Sequence, residues 1–127
     1  MKIDKETYER HLRFFAAEAA IFHEGEEGAE MYVITQGRVE IRKATGPSAA
    51  KTLTTLQAGD LFGEMALIDR KPRSATAVAV EPTKLLVLNE KLFDRMLVSN
   101  PDFARRMIRI LSDRIRRANQ VIQNLTA

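Results

Sequence analysis

No cysteine occurs among the 127 residues, which removes disulfides, iron–sulfur ligation and thiol chemistry together. Histidine is almost as scarce. His11 and His23 are the only two, far apart and without neighbouring ligand types, so they offer no framework for a transition metal. Nowhere does the chain approach the ~18 consecutive apolar residues that a membrane span needs. The opening MKIDKETYERHLRFF lacks an apolar core behind a basic tip, so it does not read as a signal peptide. These absences predict a cytoplasmic protein with no metal, no cofactor and no membrane partner. What is present, 45% apolar and 29% charged residues, suits a globular domain. The length fits one domain, residues 1–127, with a single core.

The net charge of +3 is small, but its distribution is not even. Six arginines fall between Arg105 and Arg117, with Asp113 the only acid among them. Such a stretch suits an anionic partner, although a solvated helix face is the commoner reason for it.

From about 18 to 88 the chain reads as short strands separated by turns. Gly25 and Gly28 bracket the loop HEGEEGAE, Gln36-Gly37 divides MYVI from VEI, and Ala58-Gly59-Asp60 closes another turn. Alternation shows at Val39 and Ile41, and again at Ala77 and Ala79 against Val78 and Val80. KATGPSAAK lacks apolar periodicity and is expected at a hairpin tip. TKLLVL reads as one more strand.

The remainder, about 89–125, turns helical. Asn89 is placed to cap EKLFDRMLV, Ser99-Asn100-Pro101 breaks it, and Pro101 opens a second helix expected to reach about Asn124. Ala104, Ile108, Leu111, Ile115, Ala118, Ile122 and Leu125 follow one another in steps of four and three, the pattern of a coiled-coil seam. Phe103, Met107 and Ile110 widen the apolar face in the first half, as packing on a domain requires. The narrower second half predicts a homodimer through this helix.

One stretch, FGEMALIDRKPRSATAVAV, sets an acid and a base among small and apolar residues. Gly63 removes a side chain where a ligand or a tight turn comes close. Glu64-Met65-Ala66-Leu67-Ile68 has room for a short helix only, and the start of a helix presents free N–H groups to an anion. Arg73 offers a planar fork to two phosphate oxygens. Ser74 and Ala75 are small enough for backbone N–H groups to approach the same anion, and the Ser74 hydroxyl can add a bond. Glu64 would repel a phosphate, but a carboxylate accepts from a sugar hydroxyl beside one. A compact ribose phosphate meets both demands.

This stretch resembles the phosphate-binding cassette of cyclic nucleotide-binding domains, the modules of cyclic-AMP-dependent kinase regulatory subunits, nucleotide-gated channels and the bacterial catabolite activator protein. EGEEGAEMYVITQGRVEI is similar to the family's early strands, LQAGDLFGEMAL to the approach to the cassette, and NPDFARRMIRILSDRIRR to its last helix in bacterial regulators. The resemblance covers roughly residues 12–125. It implies a mainly β fold with flanking helices: a jelly-roll-like β-roll, or double-stranded β-helix, closed by a short helix and a long C-terminal helix. It implies a sensing module that catalyses no reaction. By position it assigns Arg73 to the cyclic phosphate, Glu64 to the ribose 2′-hydroxyl, and Gly63, Ala66, Ser74 and Ala75 to ligand oxygens. Met65 would touch the ligand by its backbone or flank. Arg70 and Lys71 are basic neighbours that the family pattern does not require.

The base is less determined. Two adjacent polar residues of bacterial regulators align with Ala118 and Asn119, and only Asn119 can make the hydrogen bond. A structural place for Asn119, beside the dimer seam, stands equally open. Ser74, where guanine-selective members commonly carry threonine, leans towards cyclic AMP over cyclic GMP. The expected coupling is a shift in the placement of the last helix, read by a protein effector. The competing reading is an interaction or dimerisation protein whose pocket is vestigial. Regulators of this type continue into a helix-turn-helix where this sequence stops, so no direct DNA binding is expected of these residues.

Overall fold

A computed structural model describes residues 3–126 and divides them into two compact units, one of Asp4–Leu92 and one of Ile3 together with Phe93 to the end of the last helix. The first unit opens with a short helix, α1 (Lys5–Arg10). Asp4 caps it by accepting from the Thr7 N–H at 2.9 Å. Eight strands follow: β1 (Leu12–Phe15), β2 (Ala20–Phe22), β3 (Met31–Gln36), β4 (Arg38–Gly46), β5 (Ala49–Gln57), β6 (Leu61–Phe62), β7 (Thr76–Ala79) and β8 (Thr83–Leu88). A second short helix, α2 (Glu64–Asp69), interrupts them between β6 and β7.

The strands form two four-stranded antiparallel sheets, in the orders β1-β8-β3-β6 and β2-β7-β4-β5. Neighbours far apart in sequence pair, as in a jelly roll, and the expectation of a mainly β fold with flanking helices holds. Their inner faces meet in a core of Phe22, Tyr32, Ile34, Val39, Phe62, Ala77, Leu85 and Val87. Strand β8 lies between β1 and β3, and almost every residue in it is buried. That is why LLVL, the last four residues of TKLLVL, is a continuous apolar run and shows no alternation. Strand β5 is the opposite case. It is an edge strand, exposed along nearly its whole length and rich in threonine. Its register slips at Leu53, an extra residue between the partners of Ile41 and Arg42, a kink that blunts an open edge.

Two elements differ from the sequence reading. Helix α1 and strand β1 precede residue 18, where the strands were expected to begin. The polar segment around Gly46-Pro47 is indeed a hairpin, but its strands run on to Gly46 and resume at Ala49, so only Pro47 and Ser48 make the turn. Exposed residues on an edge need no apolar periodicity, and the pairing is carried by the backbone.

Helix α3 (Glu90–Ser99) starts where Asn89 accepts from the Leu92 N–H at 2.9 Å, as expected of a cap. The second unit contains the rest of α3 and α4 (Pro101–Thr126). Asn100 plays the same capping role for α4, accepting from the Phe103 N–H at 3.1 Å. Phe93 and Phe103 meet edge to face with centroids 5.8 Å apart, and both are buried, as are Met96 and Met107. Beyond Met107 the apolar positions Ile108, Leu111, Ile115, Ile122 and Leu125 are exposed. No helix among the described residues is long and apolar enough to cross a membrane, and no cluster of metal-ligating side chains occurs among them.

Candidate functional site

Arg73 organises the site. It follows Pro72 and precedes β7, and two backbone bonds stitch it to the Gly25–Gly28 loop: its N–H donates to Glu26 O, and its carbonyl accepts from Gly25 N–H, both at 2.8 Å. Its side chain turns inward and is only 6% exposed. The guanidinium lies over the Phe22 ring, 4.1 Å from the centroid, with Tyr32 at 5.6 Å. Phe22, Tyr32 and Phe62 form one aromatic platform, Tyr32 stacked on Phe62 at 5.1 Å and Phe22 tilted against both.

Two carbonyls fix the fork from the sides. Nη1 donates to Gly63 O and Nη2 to Glu30 O, each at 2.9 Å. A guanidinium has five N–H groups, so three stay available to an anion. Burial lowers the Arg73 pKa from its ordinary value, with Tyr32, Glu30 and Glu26 pulling it back up. The group remains charged at neutral pH, since arginine starts far above it. A buried cation whose hydrogen bonds go to neutral carbonyls has lost hydration that an anionic ligand can replace.

Two glycines make room for this arginine. A Cβ on Gly28 would sit 2.6 Å from Nη2, 2.7 Å from Nε and 2.9 Å from Cζ. A Cβ on Gly63 would sit 2.9 Å from Nη1, and Gly63 also takes a left-handed φ of 80° as the N-cap of α2. Sequence reasoning identified Gly63 but took Gly28 for a turn residue. Its φ is not left-handed, and the reason for a glycine there is space alone. Phe22 and Tyr32 were missed in the same way, because nothing local marks a core aromatic as the floor of an arginine.

Helix α2 supplies the acid. Glu64 occupies its first turn and is buried, Ala66 is buried as well, and Met65 is exposed. A carboxylate in a first helical turn is favoured by the local dipole. The helix ends at Arg70, itself left-handed at φ 58°, and the Arg70 side chain pairs with Glu90 at the start of α3. Both side chains of that pair are largely exposed, so it contributes little to stability. Ser74 is exposed and Ala75 buried, and the Ser74 carbonyl accepts from Lys43 Nζ at 2.6 Å. Gly63, Glu64, Met65, Ala66, Arg73, Ser74 and Ala75 therefore all belong to the first unit, on α2 and the segment leading into β7. Asn119 belongs to the second, exposed on α4.

Known proteins carry the same arrangement of sequence. The family profile described as cyclic nucleotide-binding domain matches residues 12–100. The Cyclic AMP receptor protein of Thermus thermophilus is 35% identical over 107 residues, covering 84% of this chain and 50% of that protein. The cAMP-dependent protein kinase regulatory subunit of Mycosarcoma maydis is 34% identical over 91 residues, 68% of this chain and 17% of that one. Among solved structures, the Thermus thermophilus Catabolite Activator Protein superposes with a TM-score of 0.80 at 30% identity, over 98% of this chain and 61% of that chain. The chain thus spans about half the length, or less, of these curated relatives. From the first residue of β1 to the residue after α3, this chain belongs to the cyclic nucleotide-binding domain family.

Proposed function

We propose that the chain senses a cyclic nucleotide, cyclic AMP in preference to cyclic GMP, and couples its binding to the position of α4. One observation carries the reading: a buried guanidinium, clamped on two sides and floored by aromatic rings, with three N–H groups left for an anion. The cyclic phosphate takes those of them that share an edge of the fork, two at most, together with the Ala75 N–H and the Ser74 hydroxyl. Glu64 accepts from the ribose 2′-hydroxyl, and Gly63 and Ala66 contribute backbone contacts to ligand oxygens. Met65 flanks the sugar. Asn119 reads the base. The module binds and transmits and does not catalyse.

The preference for adenine is supported by Ser74 and by relatives named for cyclic AMP. The exposed stripe of α4 supports the transmitting half. With Ile108, Ile115 and Ile122 at one core position of the heptad and Leu111 and Leu125 at the other, it has the composition that favours two parallel strands. A homodimer through α4 places Asn119, next to Ala118, at the edge of that seam. A protein effector then reads the helix position. Residues 1–127 work as one sensing module in the cytoplasm.

A titration with cyclic AMP and cyclic GMP, with mass followed by light scattering, tests the reading. Saturable binding with cyclic AMP the tighter ligand, on a particle of twice the chain mass, is the expected result. A dimer that binds neither nucleotide would favour the dimerisation protein with a vestigial pocket.

A further inference from the structure

Lys43 stands outside every role assigned above. It lies on β4 directly opposite Lys51 of β5, so two like charges face each other across the hairpin, an arrangement that costs stability. Its ammonium reaches away to the segment after Arg73 and donates to the Ser74 carbonyl at 2.6 Å. Glu24 holds it there: one carboxylate oxygen pairs with Lys43 Nζ at 3.3 Å, and the other accepts from the Ala44 N–H at 3.0 Å. The Glu24 N–H in turn donates to Thr76 Oγ1 at 2.9 Å, so β7 is tied into the same group.

The Ser74 carbonyl and the Ala75 N–H belong to one planar peptide unit, and in a trans unit they point in opposite directions. All peptide bonds among the described residues are trans. A cation bonded to the carbonyl therefore fixes the direction of the N–H on the other side of the chain, and it polarises that N–H into a stronger donor. We infer that Lys43 is a positioning residue, anchored by Glu24, that aims the Ala75 N–H at the phosphate of the bound nucleotide. The inference rests on the nucleotide reading above and deepens it. It explains a lysine opposite a lysine, because its ammonium is recruited to the cassette and away from the hairpin.

The test compares the wild type with Lys43→Met, Lys43→Arg and Arg73→Ala, using cyclic AMP as the probe. Lys43→Met should weaken binding about tenfold, as expected for the loss of one hydrogen bond to a charged group. The loss should persist at about 1 M salt, where a mere long-range attraction would be screened out. Lys43→Arg should recover most of the affinity, since it keeps a donor within reach of the carbonyl. The advantage of cyclic AMP over its 2′-deoxy analogue should not change, because the ribose end is untouched. In the free proteins, the Ala75 amide resonance should move in Lys43→Met and return towards its wild-type position in Lys43→Arg.

Wild-type affinity in Lys43→Met, with binding lost in Arg73→Ala, would overturn the role of Lys43 and leave the nucleotide site standing. An unmoved Ala75 amide, or a loss that vanishes at high salt, would also overturn it. A wild type that binds no cyclic nucleotide would remove the site and this role together.

Discussion

Gly28→Ala is the smallest change that strikes the site without touching a proposed ligand contact. The added methyl would lie 2.6–2.9 Å from three atoms of the Arg73 guanidinium. Restoring an ordinary contact of about 3.5 Å requires the group to move by roughly 1 Å. Neither flank offers the room. Phe22 supports one face at 4.1 Å, and the bonds to Gly63 O and Glu30 O, now 2.9 Å, would stretch to about 3.9 Å, beyond hydrogen-bonding range. Losing two charge-assisted bonds should lower stability by about 3 kcal/mol. Losing the aim of the fork at phosphate should lower affinity about 100-fold, close to 3 kcal/mol. Chemical denaturation and calorimetric titration measure the two effects separately. The decisive arm is the same substitution in an Arg73→Ala background, where the space is vacant. There Gly28→Ala should be neutral or stabilising by about 0.4–1 kcal/mol, because it restricts the unfolded chain and Gly28 needs no left-handed φ. An equal cost in both backgrounds, or wild-type affinity in the single variant, would refute the reasoning.

Three further outcomes follow from the same geometry. Glu64→Ala should narrow the advantage of cyclic AMP over its 2′-deoxy analogue from about tenfold or more to near unity, measured by parallel titrations. Glu24 is held below its ordinary carboxylate value, first by the Ala44 N–H and then by Lys43. Its contribution to stability is therefore complete above the ordinary glutamate range and is lost as pH falls through its lowered folded value. Thermal melts from pH 6 to pH 3 should show a shallower acid decline in Glu24→Gln than in the wild type. Ile115→Glu puts a charge into the exposed stripe of α4 and should convert the proposed dimer to a monomer in light scattering without altering the secondary structure seen by circular dichroism.

The parts of this protein readable from sequence are those where local chemistry decides. Asn89 announces a cap, Pro101 a helix start, and Gly63 the opening of the short helix α2, because each acts through its own backbone or its immediate neighbours. What escaped depends on residues far apart in sequence. Gly28 is required by Arg73, 45 positions later, and Phe22 lies beneath that same side chain. Lys43 meets Ser74 only because β4 and β7 are neighbours in one sheet. Strand β1 was missed because LRFF has no alternation of its own. It becomes a strand by pairing with β8, a partner more than 70 residues away at Leu12 and Leu86.

The central claim is that Arg73 holds the phosphate of a cyclic nucleotide. Calorimetric titration of cyclic AMP into the wild type and into Arg73→Ala tests it most directly. The account predicts saturable heat from the wild type and none from Arg73→Ala at the same concentrations, with both proteins folded. Equal binding by the two proteins, or no heat from the wild type with either cyclic AMP or cyclic GMP at high micromolar concentration, would contradict it.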